Sequence, residues 1–183
     1  YFLKYGLKLR ERDEFELSPA NTGEFFHAAM DQLMKRVNAE KLDLATLDEK
    51  QLNELITEIT SKILNDPKNL QYAILNSSQR MTFIKQQLIG VVRQMAATFH
   101  KQSQYTPMRA RKTEVLFGHI GAENGLPPLV FDLPKEKQIR VRGKIDRIDT
   151  LKLPTNEYIG IVDYKSSEHT VKFNDIYEGI AMQ

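Results

Sequence analysis

The two stretches that decide the fold are GKIDRID at residues 143–149 and VDYKSS at residues 162–167. Each extends a run in which apolar and polar residues alternate, and this period of two is typical of a half-buried strand. The first stretch carries Asp146, and the second carries Asp163 with Lys165 two residues further on. Side chains two residues apart project from the same face of a strand, so Asp163 and Lys165 should lie side by side. If the two strands are neighbours, Asp146 and Asp163 can converge.

The same alternation predicts a strand over 138–147 with two distinct faces. One face carries Ile139, Val141, Gly143 and Ile145, and the other carries Arg140, Arg142, Lys144 and Asp146. On this pattern Asp146 is not a core residue. Ile148 has the same parity as Asp146, so the alternation slips, and the strand should end or bulge near Arg147.

Two carboxylates that meet at neighbouring strand ends are hard oxygen ligands, which suit Mg²⁺ or Mn²⁺. An ammonium group beside them, from Lys165, can hold a water or neutralise charge that builds on phosphorus in a transition state. These groups together favour phosphodiester hydrolysis. The alternative is that Asp146 and Asp163 are exposed strand-end carboxylates that balance Arg147 and Lys165.

The first half of the chain repeats apolar residues with the helical period of 3.6. The first predicted helix spans about 22–38 and begins at the capping box Asn21-Thr22-Gly23-Glu24. The second begins at the capping box Thr46-Leu47-Asp48-Glu49 and ends at Asn65-Asp66-Pro67. A short helix with Pro67 at its first position follows, and a longer helix spans about 78–103. On the last helix the stripe predicted to be buried is Phe83, Ile84, Leu88, Val91, Val92, Met95 and Phe99, with Arg93 roughly opposite.

The second half changes to strands. We expect strands over 112–120, 138–147 and 157–165 in a meander, a turn-rich loop over 121–128, and a helix that begins at Asp175. This order predicts an α+β fold with one domain over 1–183, a helical part over 22–106 and a sheet-bearing part over 107–183. Tyr1 is not an initiator Met and Gln183 stops within the last predicted helix, so we expect an excerpt of a longer chain.

Composition narrows the function classes. The 183 residues contain no cysteine, which excludes disulfides, thiolate zinc sites and cysteine-ligated iron-sulfur clusters within this segment and fits a reducing cytoplasm. No apolar run is long enough for a membrane span, and no signal peptide is visible. The net charge of +2 says little about partners.

The distribution of charge is more informative than its sum, because no acidic residue lies between Asp66 and Glu114. This basic block predicts phosphate contacts without sequence preference, as single-stranded DNA requires. The candidate contacts are Arg80, Lys85, Arg93, Lys101, Arg109, Arg111 and Lys112. The alternative is an ordinary solvated helix face.

Four ordered motifs carry a family resemblance: G-x-x-x-H from Gly23 to His27, G-x-I-D-R-I-D, V-D-Y-K-S-S, and Y-x-G-x-x-x-Q from Tyr177 to Gln183. The chain resembles the RecB-like branch of the PD-(D/E)XK nuclease superfamily. Within it, the chain is most similar to the nuclease domain of the AddB/RexB family, the B subunits of bacterial helicase-nucleases that process double-strand breaks. The opening YFLKYGLKLRER also looks like that family's first segment.

The resemblance implies a restriction-endonuclease-like core with a small mixed sheet, an exonuclease activity on DNA ends, Mg²⁺ as cofactor and a helicase partner of the AddA/RexA type. It also implies residue roles. The metal ligands are His27, Asp146, Asp163 and the Tyr164 carbonyl, the catalytic lysine is Lys165, and the residues that position DNA are Tyr177 and Gln183. Gly143 is expected to let the backbone pack closely beside Asp146, and Gly23 to leave room beside His27.

Some features leave alternatives open. Many AddB proteins hold an iron-sulfur staple outside the segment seen here, and the fold's final strand also lies outside it. Glu114 could assist the metal site, although a structural or exposed role is expected. The rival functions are a free-standing Cas4-like exonuclease and a nuclease-derived scaffold that only grips DNA or a helicase. The opening segment argues against the first rival, and the complete D…DxK set argues against the second.

Overall fold

A computed structural model describes residues 17–119, 125–165 and 173–177. Within these ranges the chain forms three long helices, two 3-10 helices, five strands and a short last helix. The α+β class predicted from the sequence is therefore confirmed. The opening segment YFLKYGLKLRER, Ile120 and most of the loop after it, Ser166-Ser167 and Gln183 lie outside the described residues.

Helix α1 spans Pro19–Ala39 and carries His27 in its third turn. The predicted start at the box from Asn21 to Glu24 is wrong. Ser18 is the N-cap, and its Oγ accepts a hydrogen bond of 3.1 Å from the backbone N–H of Asn21. The helix begins earlier because a serine hydroxyl is followed by proline, which needs no donor at the first helical position.

Helix α2 spans Glu49–Asn65 and ends before Pro67, as predicted. Its predicted cap at Thr46 is wrong, because Asp48 is the N-cap. The Asp48 carboxylate accepts from the backbone N–H of Gln51, and the Gln51 side chain accepts from the backbone N–H of Asp48. A capping box is thus present two residues after the predicted one.

Two 3-10 helices, Leu44–Thr46 and Leu70–Asn76, connect the long helices. The prediction that Pro67 occupies the first position of a helix is wrong, because Pro67 lies in a turn ahead of Leu70. The side chain of Asp66 accepts a hydrogen bond of 2.9 Å from the backbone N–H of Lys68, which holds this turn.

Helix α3 spans Gln79–Tyr105, and its buried stripe differs in part from the prediction. Leu88 and Val92 are buried as expected and Ala96 joins them, whereas Phe83 and Val91 are exposed. The interface follows a spacing of four residues from Leu88, and Phe83 lies about 140° around the helix from it. The predicted residues that pack partly buried against the core are Ile84, Met95 and Phe99.

The five strands occur in two separate sheets. They are β1 (Arg109–Phe117), β2 (Leu129–Leu133), β3 (Lys137–Val141), β4 (Gly143–Lys152) and β5 (Glu157–Val162). One sheet has the order β1-β4-β5, and the other is the β2-β3 hairpin; all of these ladders are antiparallel. The short last helix, α4, spans Phe173–Tyr177 and begins two residues before the predicted start.

The predicted meander is wrong because a hairpin is inserted between its first two strands. The run predicted as one strand over 138–147 is two strands, β3 and β4, with a break at Arg142. Gly118 packs at this break with a left-handed φ of 71°, and a Cβ there would lie 2.8 Å from the Cβ of Arg142. Only glycine fits such a close crossing without strain. The first strand also begins at Arg109 rather than at 112, and the third ends at Val162.

Strand β4 continues past Arg147, so the predicted end or bulge there is wrong. The register shift lies in β1, between Ala110 and Lys112. Asp146 and Arg147 are consecutive and yet both buried, at 5% and 6% exposure. The prediction that Asp146 is not a core residue is therefore also wrong. The alternation of apolar and polar residues is misleading here, because Asp146 and Arg147 are charged and yet buried.

The hydrophobic core lies among α1, α2 and α3 and reaches the sheet through Tyr164, which follows β5. The fully buried members include Phe25, Met30, Leu33 and Ile56. Partly buried Ala110 of β1 and Val162 of β5 pack against it. Thus the three-stranded sheet is held against the helices at the place where its candidate functional residues lie. None of the helices that the structure describes combines the length and hydropathy needed to cross a membrane.

Candidate metal and catalytic site

Three side chains from three elements converge at the centre of the sheet. His27 of α1, Glu114 of β1 and Asp146 of β4 each offer a ligand atom, and these atoms all lie within 4.8 Å of one another. The Nδ1 atom of His27 lies 3.3 Å from Oδ2 of Asp146. His27 and Asp146 are thus brought together as the sequence predicts.

Glu114 owes its position to an unusual backbone. In the antiparallel ladder, Thr113 pairs with Arg147 and Val115 pairs with Ile145, so Glu114 lies across from Asp146. Glu114 has a φ of 52°, a left-handed conformation that costs a residue with a side chain roughly 1–3 kcal/mol. Strain of this kind persists only where the surrounding structure holds it, as the β1-β4 ladder does here. A structural or exposed role was expected for Glu114 from the sequence, and the structure places its carboxylate in the cluster.

Charge at the cluster is balanced in part by Lys144. Its ammonium forms a hydrogen-bonded ion pair with the carboxylate of Glu114. This bond raises the pKa of Lys144 above its ordinary value; the nearby carboxylates of Glu114, Asp146 and Asp31 add to the increase, and partial burial opposes it. The cluster is therefore a concentration of negative charge that keeps a cation beside it.

Asp163 and Lys165 directly follow strand β5, and their side chains lie outside this cluster. Strands β4 and β5 are neighbours, as predicted, and their last pair before the site is Arg147 with Val162. Extending this register by one residue sets Asp163 across from Asp146. The Asp163 carboxylate is half-exposed and lies 2.7 Å from the Nζ of Lys165. Its side chain does not belong to the group formed by His27, Glu114 and Asp146 within the described ranges.

Tyr164 joins the two parts of the site. Its backbone N–H donates a hydrogen bond of 2.9 Å to Oδ2 of Asp146. Its ring is buried and lies edge-on to the imidazole of His27, with 5.6 Å between centroids. Burial raises the pKa of the Tyr164 hydroxyl, although the adjacent Arg147 guanidinium partly offsets the increase. The segment with Asp163 and Lys165 is thus tied to Asp146 through the residue between them.

Of the two glycines expected to give room beside the site, Gly143 has other surroundings and Gly23 has open space. A Cβ at Gly143 would lie 2.8 Å from the ring of Phe117, so the close neighbour of this glycine is Phe117 and not Asp146. A Cβ at Gly23 would meet nothing within 4 Å in the described part of the chain. Of the two downstream residues, Tyr177 is exposed at the end of α4, and Gln183 lies outside the described residues.

The candidate DNA contacts fall into two groups. Arg109 binds Asp43 and the backbone carbonyls of Ser103, Thr106 and Met108, and this guanidinium also lowers the pKa of Asp43. Lys85 donates to the side chain of Asn76. These two side chains therefore serve the fold. The exposed candidates are Arg80, Arg93, Lys101, Arg111 and Lys112.

The donors of the cluster fit a small divalent cation. Two carboxylates and one imidazole form a set of hard and borderline ligands, which suits Mn²⁺ and, with water completing the shell, Mg²⁺. No thiolate is present in the sequence to favour a softer metal. His27, Glu114 and Asp146 could therefore hold such an ion.

Sequence reasoning underrated two residues of this region, Glu114 and Arg147. The position of Glu114 could have been predicted if β1 had been paired with β4, because this pairing places Glu114 directly across from the aspartate of β4. That pairing was hidden by the inserted hairpin. The sequence assigns Arg147 no role beyond balancing exposed carboxylates in the alternative interpretation, whereas it is buried and bound to Asp149 by two hydrogen bonds of 2.8 and 2.9 Å.

The chain is similar in sequence to a known protein family and to known proteins. The sequence profile of the PD-(D/E)XK nuclease superfamily matches residues 1–183. The B subunits of the ATP-dependent helicase/deoxyribonuclease from Levilactobacillus brevis, Lactiplantibacillus plantarum and Enterococcus faecalis are 55%, 48% and 43% identical over 183 residues. Each alignment covers 100% of this chain and 15% of the relative, so the chain spans a small part of these proteins. The match over its whole length, together with a histidine and two carboxylates gathered on a central sheet, shows that the chain belongs to the PD-(D/E)XK nuclease superfamily.

Proposed function

We propose that this chain is the metal-dependent exonuclease domain of a bacterial helicase-nuclease and that it degrades DNA ends at double-strand breaks for recombinational repair. The observation that carries the proposal is the cluster of His27, Glu114 and Asp146, whose ligand atoms lie within 4.8 Å of one another. The names of the relatives support DNA as the substrate and a helicase as the partner. We propose that this partner is of the AddA/RexA type. A cytoplasmic location follows from that role.

We assign the metal ligands to His27, Glu114 and Asp146, with Asp163 and the Tyr164 carbonyl as further ligands. When bound, Mg²⁺ or Mn²⁺ would polarise the phosphoryl group and offset the charge of the transition state. The protein's own contribution is to hold these donors from separate elements in one place. Asp163 can approach because the register sets it opposite Asp146.

Lys165 acts on the phosphate and the attacking water in this proposal. Its ammonium lies 2.7 Å from Oδ2 of Asp163 and its side chain is 38% exposed, so a substrate can reach it. An ammonium at that place donates hydrogen bonds to a phosphoryl oxygen or orients a water for attack. The pairing with Asp163 keeps the ammonium at the strand end until DNA binds.

Exposed cations and aromatic residues would hold the strand. Arg93 and Lys101 lie about 80° apart around α3, which lets one strand contact both. The exposed ring of Tyr105, at the end of α3, is available for stacking on a base. Further contacts come from Arg80, Arg111 and Lys112, and Tyr177 and Gln183 orient the strand downstream.

Metal removal tests the activity. The intact protein, with any partner that copurifies, should digest linear single-stranded DNA in Mg²⁺, stop in EDTA and resume when excess Mg²⁺ is added. A single-stranded substrate removes the need for unwinding. A closed circular strand should resist, because an exonuclease needs an end. Cleavage that continues in EDTA would contradict the metal-dependent mechanism, and DNA binding without any cleavage would favour the scaffold.

Charge reversal tests the contacts with DNA. The double variant Arg93→Glu/Lys101→Glu should bind single-stranded DNA more weakly, with a salt dependence whose slope falls by roughly one to two, since each lost phosphate contact removes about 0.7. Fluorescence anisotropy at several salt concentrations measures this slope. Lys50→Glu/Lys62→Glu on α2 makes the same charge change of four units outside α3 and is the matched control. Unchanged affinity in the double variant would assign Arg93 and Lys101 to a solvated helix face.

A further inference from the structure

The least expected side chain near the site is the buried guanidinium of Arg147. Its Cζ lies 4.5 Å from the ring centroid of Phe99 and 5.8 Å from that of Tyr164. The rings of Phe99 and Tyr164 are 5.6 Å apart, so the guanidinium and the two rings form one packed group. A cation on aromatic faces that is shielded from water is attracted more strongly than an exposed one.

The charge of Arg147 is compensated within the same strand. Its Nε and one terminal nitrogen donate to the two carboxylate oxygens of Asp149, at 2.8 and 2.9 Å. A two-point pair of this kind fixes the plane of the guanidinium, whereas a buried cation without such a partner would be costly. Strand β4 thus presents a rigid, planar cation toward α3 and toward the end of β5.

What this cation packs on is the residue between Asp163 and Lys165. Tyr164 is buried while Asp163 and Lys165 on either side are exposed. Anchoring the Tyr164 ring therefore fixes the direction in which its two neighbours project. The same residue donates its backbone N–H to Asp146, so a movement of the ring would also disturb a candidate metal ligand.

A direct role for Arg147 in the reaction does not fit its surroundings. Its side chain is only 7% exposed, and its hydrogen bonds go to Asp149, so it cannot reach a phosphate of a bound strand. A role in general stability alone leaves one contact unexplained, because Tyr164, on which the guanidinium packs, also donates its backbone N–H to Asp146 and lies between Asp163 and Lys165. We propose that Arg147 is a positioning residue, which acts through Tyr164 to set Asp163 and Lys165 against Asp146. This inference rests on the proposed function.

Two variants test it in the intact protein. Arg147→Met/Asp149→Asn removes the cation without leaving an unpaired buried carboxylate, and Arg147→Lys keeps the charge but loses the two-point pair. For the double variant, Mn²⁺ affinity measured by calorimetry and kcat on linear single-stranded DNA should each fall about 10- to 100-fold, with KM for DNA unchanged. For Arg147→Lys, the Mn²⁺ affinity and kcat should lie between those of the double variant and those of the wild type. Wild-type Mn²⁺ affinity and kcat in both variants would overturn the inference.

A second readout requires neither metal nor activity. Hydrogen exchange followed by mass spectrometry, on peptides that contain the Tyr164 amide, should be roughly tenfold faster or more in the metal-free double variant, the scale expected when a desolvated cation–π contact is lost. Val92→Ala, in the buried stripe of α3, is the control for general destabilisation. Equal exchange in the double variant and Val92→Ala, at matched stability, would overturn the inference. If the wild type neither cleaves nor binds Mn²⁺, the proposed function fails, and the exchange measurement still decides whether Arg147 positions Tyr164.

Discussion

Asp146→Asn should abolish metal-dependent DNA cleavage, with kcat reduced about 10³-fold or more, while the protein folds normally. The metal's effect on a phosphoryl transition state amounts to several kcal/mol, and each 1.36 kcal/mol is a factor of ten in rate. An amide oxygen can still accept the hydrogen bond that the Tyr164 N–H donates to Asp146. What the substitution removes is the negative charge at the centre of the candidate ligand set. Single-turnover digestion of an end-labelled single strand measures the loss.

The control for Asp146→Asn is its stability with and without metal. Because the wild-type carboxylate is buried beside Glu114, replacing it with a neutral amide should leave the metal-free melting temperature unchanged or higher. Added Mn²⁺ should raise the melting temperature of the wild type and not that of the variant, since only a protein that binds the ion is stabilised by it. A variant with wild-type activity and the same response to Mn²⁺ would remove Asp146 from the metal site.

Glu114→Gln should lower kcat about 10²- to 10³-fold, and Asp163→Asn should have an effect of similar size. The sequence favours Asp163 as a ligand, whereas the structure brings Glu114 into the cluster with His27 and Asp146. In the proposed mechanism both carboxylates border the place where charge develops, and removing one such electrostatic group costs about that factor. The measurement is kcat in Mg²⁺ together with Mn²⁺ affinity for each variant.

Lys144→Met separates the two possible roles of Glu114. It removes the ion pair that Glu114 makes and keeps the carboxylate. If Glu114 serves only to hold Lys144, the two variants should lose the same activity. We expect Lys144→Met to remain within a few-fold of the wild type, because exposed ion pairs contribute little. If Glu114→Gln keeps wild-type activity, Glu114 is not a metal ligand, and of these two carboxylates only Asp163 remains a candidate.

Periodicity was a good guide where one face of an element meets the core. The helical period of 3.6 in the first half of the chain is confirmed on α2, where Leu52, Leu55, Ile56, Ile59 and Ile63 are all buried. The same reasoning failed on β4, where Arg147 and Asp149 occupy an inward face that the rule reserves for apolar side chains. A buried ion pair cannot be distinguished from a surface pair by spacing, since both leave the same pattern of charged residues.

The pairing of strands that are far apart in the chain was the second feature that the sequence did not predict. Residues 143–152 pair with 109–117 across the β2-β3 hairpin, and no local pattern predicts which strand a strand will meet after such an insertion. The position of Glu114 depended on that pairing and on its left-handed backbone, neither of which is visible from neighbouring residues. The starts of α1, α2 and α4 were missed by two or three residues, because several residues near each start could serve as caps.

By itself, the sequence determined the α+β class, the neighbouring strands around Asp146 and Asp163, and the superfamily, because these follow from local periods and from the order of four short motifs along the chain. Only the tertiary structure decided that Glu114 joins His27 and Asp146, that Asp146 is buried, and that Arg147 packs on Tyr164. These facts depend on contacts between residues far apart in the chain. Such contacts are selected by the packing of helices on the sheet as a whole, which no single stretch of the sequence specifies.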